Sequence, residues 1–188
     1  MIKIIQNKTT PDFIRPEILL HPNIPKPLYG LNPRSINGNK WWDENRREAY
    51  AKNNFCCWSC GVNKKDAKIH QWLEGHEMYK YDFKNYTLTF TEVVALCHMC
   101  HNYIHSGRLQ YLLDSRQISA SQYKQIISHG NKIIKSISKK DENIKLLLKE
   151  YDASGYVESW KNWKMIVDGV EYSSKFKTFK DWEDFYNN

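Results

Sequence analysis

The stretch Leu96-Cys97-His98-Met99-Cys100-His101-Asn102-Tyr103-Ile104-His105-Ser106-Gly107-Arg108 decides how this sequence is read. It opens on a Cys-x2-Cys pair, and a second such pair lies upstream in Cys57-Trp58-Ser59-Cys60-Gly61. A two-residue gap lets one tight turn present two thiolates to a single ion, and Zn2+ prefers four such ligands in a tetrahedron. Cys57, Cys60, Cys97 and Cys100 are therefore expected to hold a structural Zn2+. A redox Cys-x-x-Cys competes for either pair alone, but two pairs at knuckle spacing favour the metal. Gly61 suits a turn that needs positive φ. The 36 residues between the knuckles exceed what a minimal ribbon needs, so a substructure must sit there. Cys56 is the fifth cysteine. It could replace Cys57 at a three-residue gap, but buried packing is the role assigned to it. An odd count argues against a complete disulfide set, and without a visible secretory signal reduced thiols in the cytoplasm are expected.

The pattern between the knuckles is that of a hairpin. Residues 77–83 and 86–95 read as two strands joined at Lys84-Asn85; the second alternates Thr87, Thr89 and Thr91 with Leu88, Phe90 and Val93, as a half-buried strand does. Residues 67–70 read as a short strand. The helix after Leu96 carries His101 and His105 four residues apart, hence on one face, and Gly107 is its expected stop. His76 lies near the start of the hairpin's first strand. Hairpin and helix together bring three histidines toward one point. Metal-assisted phosphodiester hydrolysis needs such a set: ligands for a cation and a neutral base for water.

These residues resemble a known family. The segment 57–108 looks like an HNH nuclease of the ββα-metal fold in its zinc-stapled, four-cysteine form. Its His101-x3-His105-x-Gly107-Arg108 ending is similar to the helix of colicin-type HNH nucleases, whose two histidines bind the catalytic metal. His76-Glu77-Met78-Tyr79-Lys80-Tyr81-Asp82 is similar to the first strand of a His-Glu subset, including the 21-residue step from His76 to Cys97. The resemblance implies a metal-dependent endonuclease that hydrolyses DNA, with His101 and His105 on a divalent cation (Mg2+, Mn2+ or another). In the family, the first residue of an Asp-His or His-His strand pair binds metal and the second is the base. Here the pair is Gly75-His76 or His76-Glu77. If His76 is the base, Gly75 is no ligand; if His76 is the ligand, Glu77 acts as base or second ligand. Asn85 is the candidate for the family's loop asparagine, and Asn102 is assigned to the helix surface. His70 is a rival for the strand histidine.

The flanks extend this core. Pro11–33 holds all six prolines and is expected to run extended over the surface as an arm, since proline fixes φ and blocks regular structure. Residues 41–51 read as a short helix. Ser119-x-x-Gln122 has capping-box form, and a helical apolar stripe follows from Tyr123 to Ile137; a further helix is read at 144–151. Residues 163–172 read as a hairpin turned by Asp168-Gly169, and 178–186 as a helix with Trp182 and Phe185 inward. The expected class is α+β, with an N-terminal arm and short helix over 1–55, the core over 56–110, a helical extension over 111–152 and a β-hairpin/helix cap over 153–188.

Composition bounds the partners. The chain has 188 residues and a formal charge of +7, and 41% of its residues are hydrophobic, too many for a disordered chain. No apolar run approaches the ~20 residues of a membrane span, so no membrane partner is expected. Basic residues outnumber acidic ones nine to five in 1–55 and eight to four in 111–150, but only six to five in 56–110, while 151–188 has five against seven. Basic flanks around a near-neutral centre suit a polyanion, DNA before RNA, held around the site. Arg108, Arg46, Arg47, Lys132 and Lys135 are the candidate phosphate contacts, and the helix from Tyr123 is a candidate homodimer face. The competing reading is a non-catalytic zinc-ribbon module that binds nucleic acid or protein.

Overall fold

A computed structural model describes residues 9–138, 160 and 162–187. The helix read at 144–151 lies outside them. The protein is mixed α and β, with a four-stranded sheet of order β1-β2-β3-β4. The strands are β1 (Leu73–Asp82), β2 (Thr87–Cys97), β3 (Lys164–Val167) and β4 (Val170–Ser173). The described helices are α1 (Pro33–Lys52), α2 (His98–Ile104), α3 (Ser106–Asp114), α4 (Ala120–Ser138) and α5 (Phe179–Asn187). None is long and apolar enough to cross a membrane. The described residues form two compact units that interleave along the chain: 9–21, 46–76 and 94–138, then 22–45, 77–93, 160 and 162–187.

The first unit is built around Trp58, which is 1% exposed. Its indole nitrogen donates to the carbonyl of Ala49 at 2.9 Å, and Phe13 packs edge-on to its ring. Buried Asn53 ties the N-terminal segment down: its side-chain oxygen accepts from the amides of Asp12 and Phe13, and its amide donates to the Phe13 carbonyl. Helix α4 packs against α2 and against a 3-10 turn at Pro16–Leu20. The capping box forms as read: the Gln122 amide donates to Ser119 Oγ, and the Ser119 amide to Gln122 Oε1. Gly130 on α4 lies under the Tyr103 ring of α2, where a Cβ would overlap ring atoms.

The second unit has a core of Leu28, Tyr79, Leu88, Trp163, Met165 and Val167. Strand β3 pairs parallel to β2 with Leu88 opposite Met165. The β3–β4 hairpin turns at Asp168 (φ 52°) and Gly169 (φ 79°), the two positive φ angles of a type I′ turn.

Several expectations are corrected. The proline-rich run is not an extended surface arm. It forms 3-10 turns at Pro16–Leu20 and Lys26–Leu28, each with proline in its first positions, and buries Ile18, Leu19, Pro27 and Leu28. Apolar side chains between the prolines find cores to join, and the fixed φ of proline suits a helical first turn. Residues 67–70 form no strand, because Ile69 takes φ 74°. Gly107 does not stop the helix. The break falls at His105 (φ −87°, ψ 63°), and Gly107 lies inside α3. Helix α1 extends the expected 41–51 toward Pro33 through a kink at Gly38. On α5, Trp182 is half-buried but Phe185 is 53% exposed.

Candidate metal centres

Among the described residues, two groups of side chains able to hold a metal ion converge, both in the first unit. One is Cys57, Cys60, Cys97 and Cys100, whose sulfurs all lie within 4.8 Å of one another. The first pair comes from a tight turn in which the Gly61 amide donates to the Cys57 carbonyl and Gly61 takes φ 76°. The second pair straddles the start of α2, with Cys97 as its N-cap. Burial raises the Cys57 thiol, but hydrogen bonds from Cys100, Cys60 and Cys97 outweigh it and hold Cys57 low. The bonds of Cys100 to Cys57, Cys60 and Cys97, followed by burial, push Cys100 up. Thiols so crowded cannot all ionise by themselves, and a shared cation relieves that conflict. The four cysteines are thus a group able to hold a metal ion. Cys56 stands apart, with Sγ directed at the Thr9 and Asn54 carbonyls and accepting from Asn63.

The second group is His76, His101 and His105, with ligand nitrogens within 4.8 Å. His76 comes from β1, and the other two from α2 and the residue that ends it. His76 Nδ1 lies 3.1 Å from His105 Nε2. Burial, followed by the charges of His21, His105 and His101, pulls His76 well below the ordinary histidine value. Burial, followed by His101, Arg108 and His21, lowers His105 to about 3. His76 and His105 are therefore neutral near pH 7, the state in which imidazole can ligate a metal.

Around these three stand residues the sequence reading does not single out. Glu74 Oε2 lies 2.6 Å from His101 Nδ1, and Oε1 2.7 Å from His98 Nδ1. Burial raises the Glu74 carboxyl, yet bonds from His101 and His98, with their charge, overcome this and leave it well below the usual carboxylate range. His21, which follows the Pro16–Leu20 turn, places Nδ1 3.3 Å from His76 Nε2. Glu74 is two residues before His76 on a strand, so both face the same way, and that spacing is the signal in the sequence. His21 has no comparable signal, being 55 residues from His76.

Other site residues fall as follows. Arg108 reaches the cluster's edge, 3.4 Å from His101 Nδ1 and 3.7 Å from Glu74 Oε2. Glu77 is not in the cluster; its charge acts on Tyr79, two residues on along β1. Asn85 turns back to Asp82, donating to both carboxylate oxygens in the β1–β2 turn. His70 stacks on Trp72 with centroids 4.0 Å apart and meets His98 edge-on, outside the three-histidine group. Asn102 is not at the surface. It is fully buried, and its amide donates to the His98 carbonyl. Arg46 and Arg47 sit on α1, and Lys132 and Lys135 on α4, outside both ligand groups.

No protein-family model, curated protein or solved structure matches the chain.

Proposed function

We propose that this protein is a metal-dependent endonuclease of the HNH type, with β1, β2 and α2 as a zinc-stapled ββα-metal core and DNA as its substrate. The observation that carries the reading is the convergence of His76, His101 and His105 beside a half-buried carboxylate that orients one of them. The donor set fits a divalent cation. Its nitrogens are close, two of its imidazoles are held neutral, and His101 is oriented by Glu74 in the carboxylate–histidine manner common to metal sites. With Nδ1–H donated to Glu74, His101 keeps Nε2 for the metal. Toward His105, His76 directs Nδ1, which makes it the third ligand rather than the base. A cation held by these three supplies Lewis-acid polarisation of a phosphodiester and acidifies the attacking water. Arg108, with its side chain 49% exposed beside the cluster, is placed to contact a phosphate oxygen. The four cysteines hold a structural Zn2+ that locks the start of α2 to the first knuckle and so fixes His101 and His105.

The test is metal analysis combined with plasmid digestion. The full chain should carry one tightly held zinc and bind a second, exchangeable cation. It should cut plasmid with Mg2+ or Mn2+ present, and His105→Ala should lose at least ~100-fold in rate. Total RNA serves as the parallel substrate. One zinc, no second site and no cleavage of either substrate would make the chain a non-catalytic zinc module and end the nuclease reading.

A further inference from the structure

A groove with a volume of about 570 Å³ runs along α4, and none of its lining residues belongs to either ligand group. Ser121, Lys124, Gln125, Ser128 and Lys132 form its α4 wall, and Lys68 faces them. These α4 positions recur at intervals of three and four, so they share one face of the helix. Met99 and His129 complete the lining, and His129 Nε2 lies 3.3 Å from Cys100 Sγ. The groove is therefore built on the helix pair that the cysteine cluster anchors.

The lining is one-sided in charge. Among the described residues, three ammonium groups share the concavity and no carboxylate lines it. Among the described residues, Lys68, Lys124 and Lys132 have no carboxylate partner. The two serine hydroxyls and the Gln125 amide add neutral donors. Such a set matches an occupant rich in acceptors and negative charge. Length separates a single anion from a chain of them. Ser121 to Lys132 spans eleven helical steps, ~17 Å. A nucleic-acid strand rises ~3.4 Å per phosphate, so about five phosphates fit that length.

We infer that this α4 groove is a backbone-binding site for a nucleic-acid strand, distinct from the three-histidine cluster and supplying affinity rather than chemistry. The choice of nucleic acid over another polyanion rests on the nuclease reading, so the test reads binding alone. The full-length His105→Ala chain is titrated against a labelled 30-mer, single- and double-stranded, across a salt series by fluorescence anisotropy. Adding Lys124→Ala and Lys132→Ala should weaken binding about tenfold or more and lower the slope of log affinity against log salt by about two, roughly one for each phosphate no longer neutralised. Lys124→Glu with Lys132→Glu should weaken it further. Lys175→Glu with Lys177→Glu, exposed positions in the second unit, changes net charge equally and should have little effect. The inference is overturned if the groove variants bind like the parent, if the control pair weakens binding as much, or if the parent binds neither form. Binding through the groove without cleavage by the unsubstituted chain would sustain the groove and refute the nuclease. Cleavage with a silent groove would do the reverse.

Discussion

Glu74 Oε2 lies 2.6 Å from Nδ1 of His101, while the other Glu74 oxygen holds His98 at 2.7 Å. One half-buried carboxylate thus fixes two rings of the same helix. With Nδ1–H pledged to Glu74, His101 is held in the tautomer that leaves Nε2 for a metal, and its ring orientation is set before any ion arrives.

Glu74→Gln should therefore weaken the three-histidine site without touching the cysteine site. The amide is nearly isosteric, but it is neutral and leaves one oxygen instead of two as acceptor. Removing the partner that orients a metal-binding histidine costs about 10- to 100-fold in metal affinity. Calorimetric titration with Mn2+ measures the first effect, and zinc content after dialysis should stay at one equivalent. Unchanged Mn2+ affinity would show that the contact is structural only.

The cysteine cluster calls for a stability experiment. Zinc binding in small sites is worth on the order of 10 kcal/mol of folding free energy. Cys60→Ala, or a strong chelator, should lower the melting temperature sharply and remove near-ultraviolet signal from Trp58, which sits within the first knuckle. Cys56→Ala should leave zinc content unchanged, because its sulfur is directed at Thr9 and Asn54 rather than at the cluster. A metal-free chain that melts like the zinc-loaded one would show that zinc does not stabilise the fold.

Gly130→Ala tests the packing that carries α4 onto α2. In an exposed helix the change gains up to ~1 kcal/mol from propensity. Here the new methyl meets the Tyr103 ring. Overpacking of this kind costs about 1–3 kcal/mol, so the net effect should be destabilising. Denaturant unfolding should show the loss, and Tyr103→Ala in the same chain should recover part of it. A stabilised single variant would mean that the ring moves aside freely.

The parts of this fold legible in the sequence are those encoded by local rules. Cysteine spacing, the capping box at Ser119, the Asp168-Gly169 turn and the strand through Thr87–Thr91 each follow from geometry over a few residues, and each stands in the structure. The His101–His105 pairing follows from helical periodicity in the same way. Glu74 was within reach of the same reasoning, since a strand's period of two pairs it with His76, whereas the adjacent His76-Glu77 pair points to opposite faces. Asn85 illustrates a competing local rule: a residue in a tight turn is claimed by the aspartate that begins the turn. The burial of the proline-rich run and the arrival of His21 were not legible. Both depend on contacts between segments far apart in sequence, and no periodicity carries that information.

His21 supplies the last prediction. Its Nδ1 faces Nε2 of His76, whose opposite nitrogen faces His105. If His76 ligates through Nδ1, its Nε2 carries the proton and donates it to His21, so His21 fixes a tautomer just as Glu74 does for His101. His21→Ala should then weaken binding of the exchangeable cation by about 10-fold, within the usual range for such partners. His21→Gln, which can still accept through its side-chain oxygen, should restore most of it. A direct ligand behaves differently when Zn2+ is the ion titrated, since a glutamine oxygen is a poor substitute for an imidazole on Zn2+. Calorimetry on both variants separates the two roles: recovery in His21→Gln marks a positioning residue, equal loss in both marks a fourth ligand, and no loss in either removes His21 from the site.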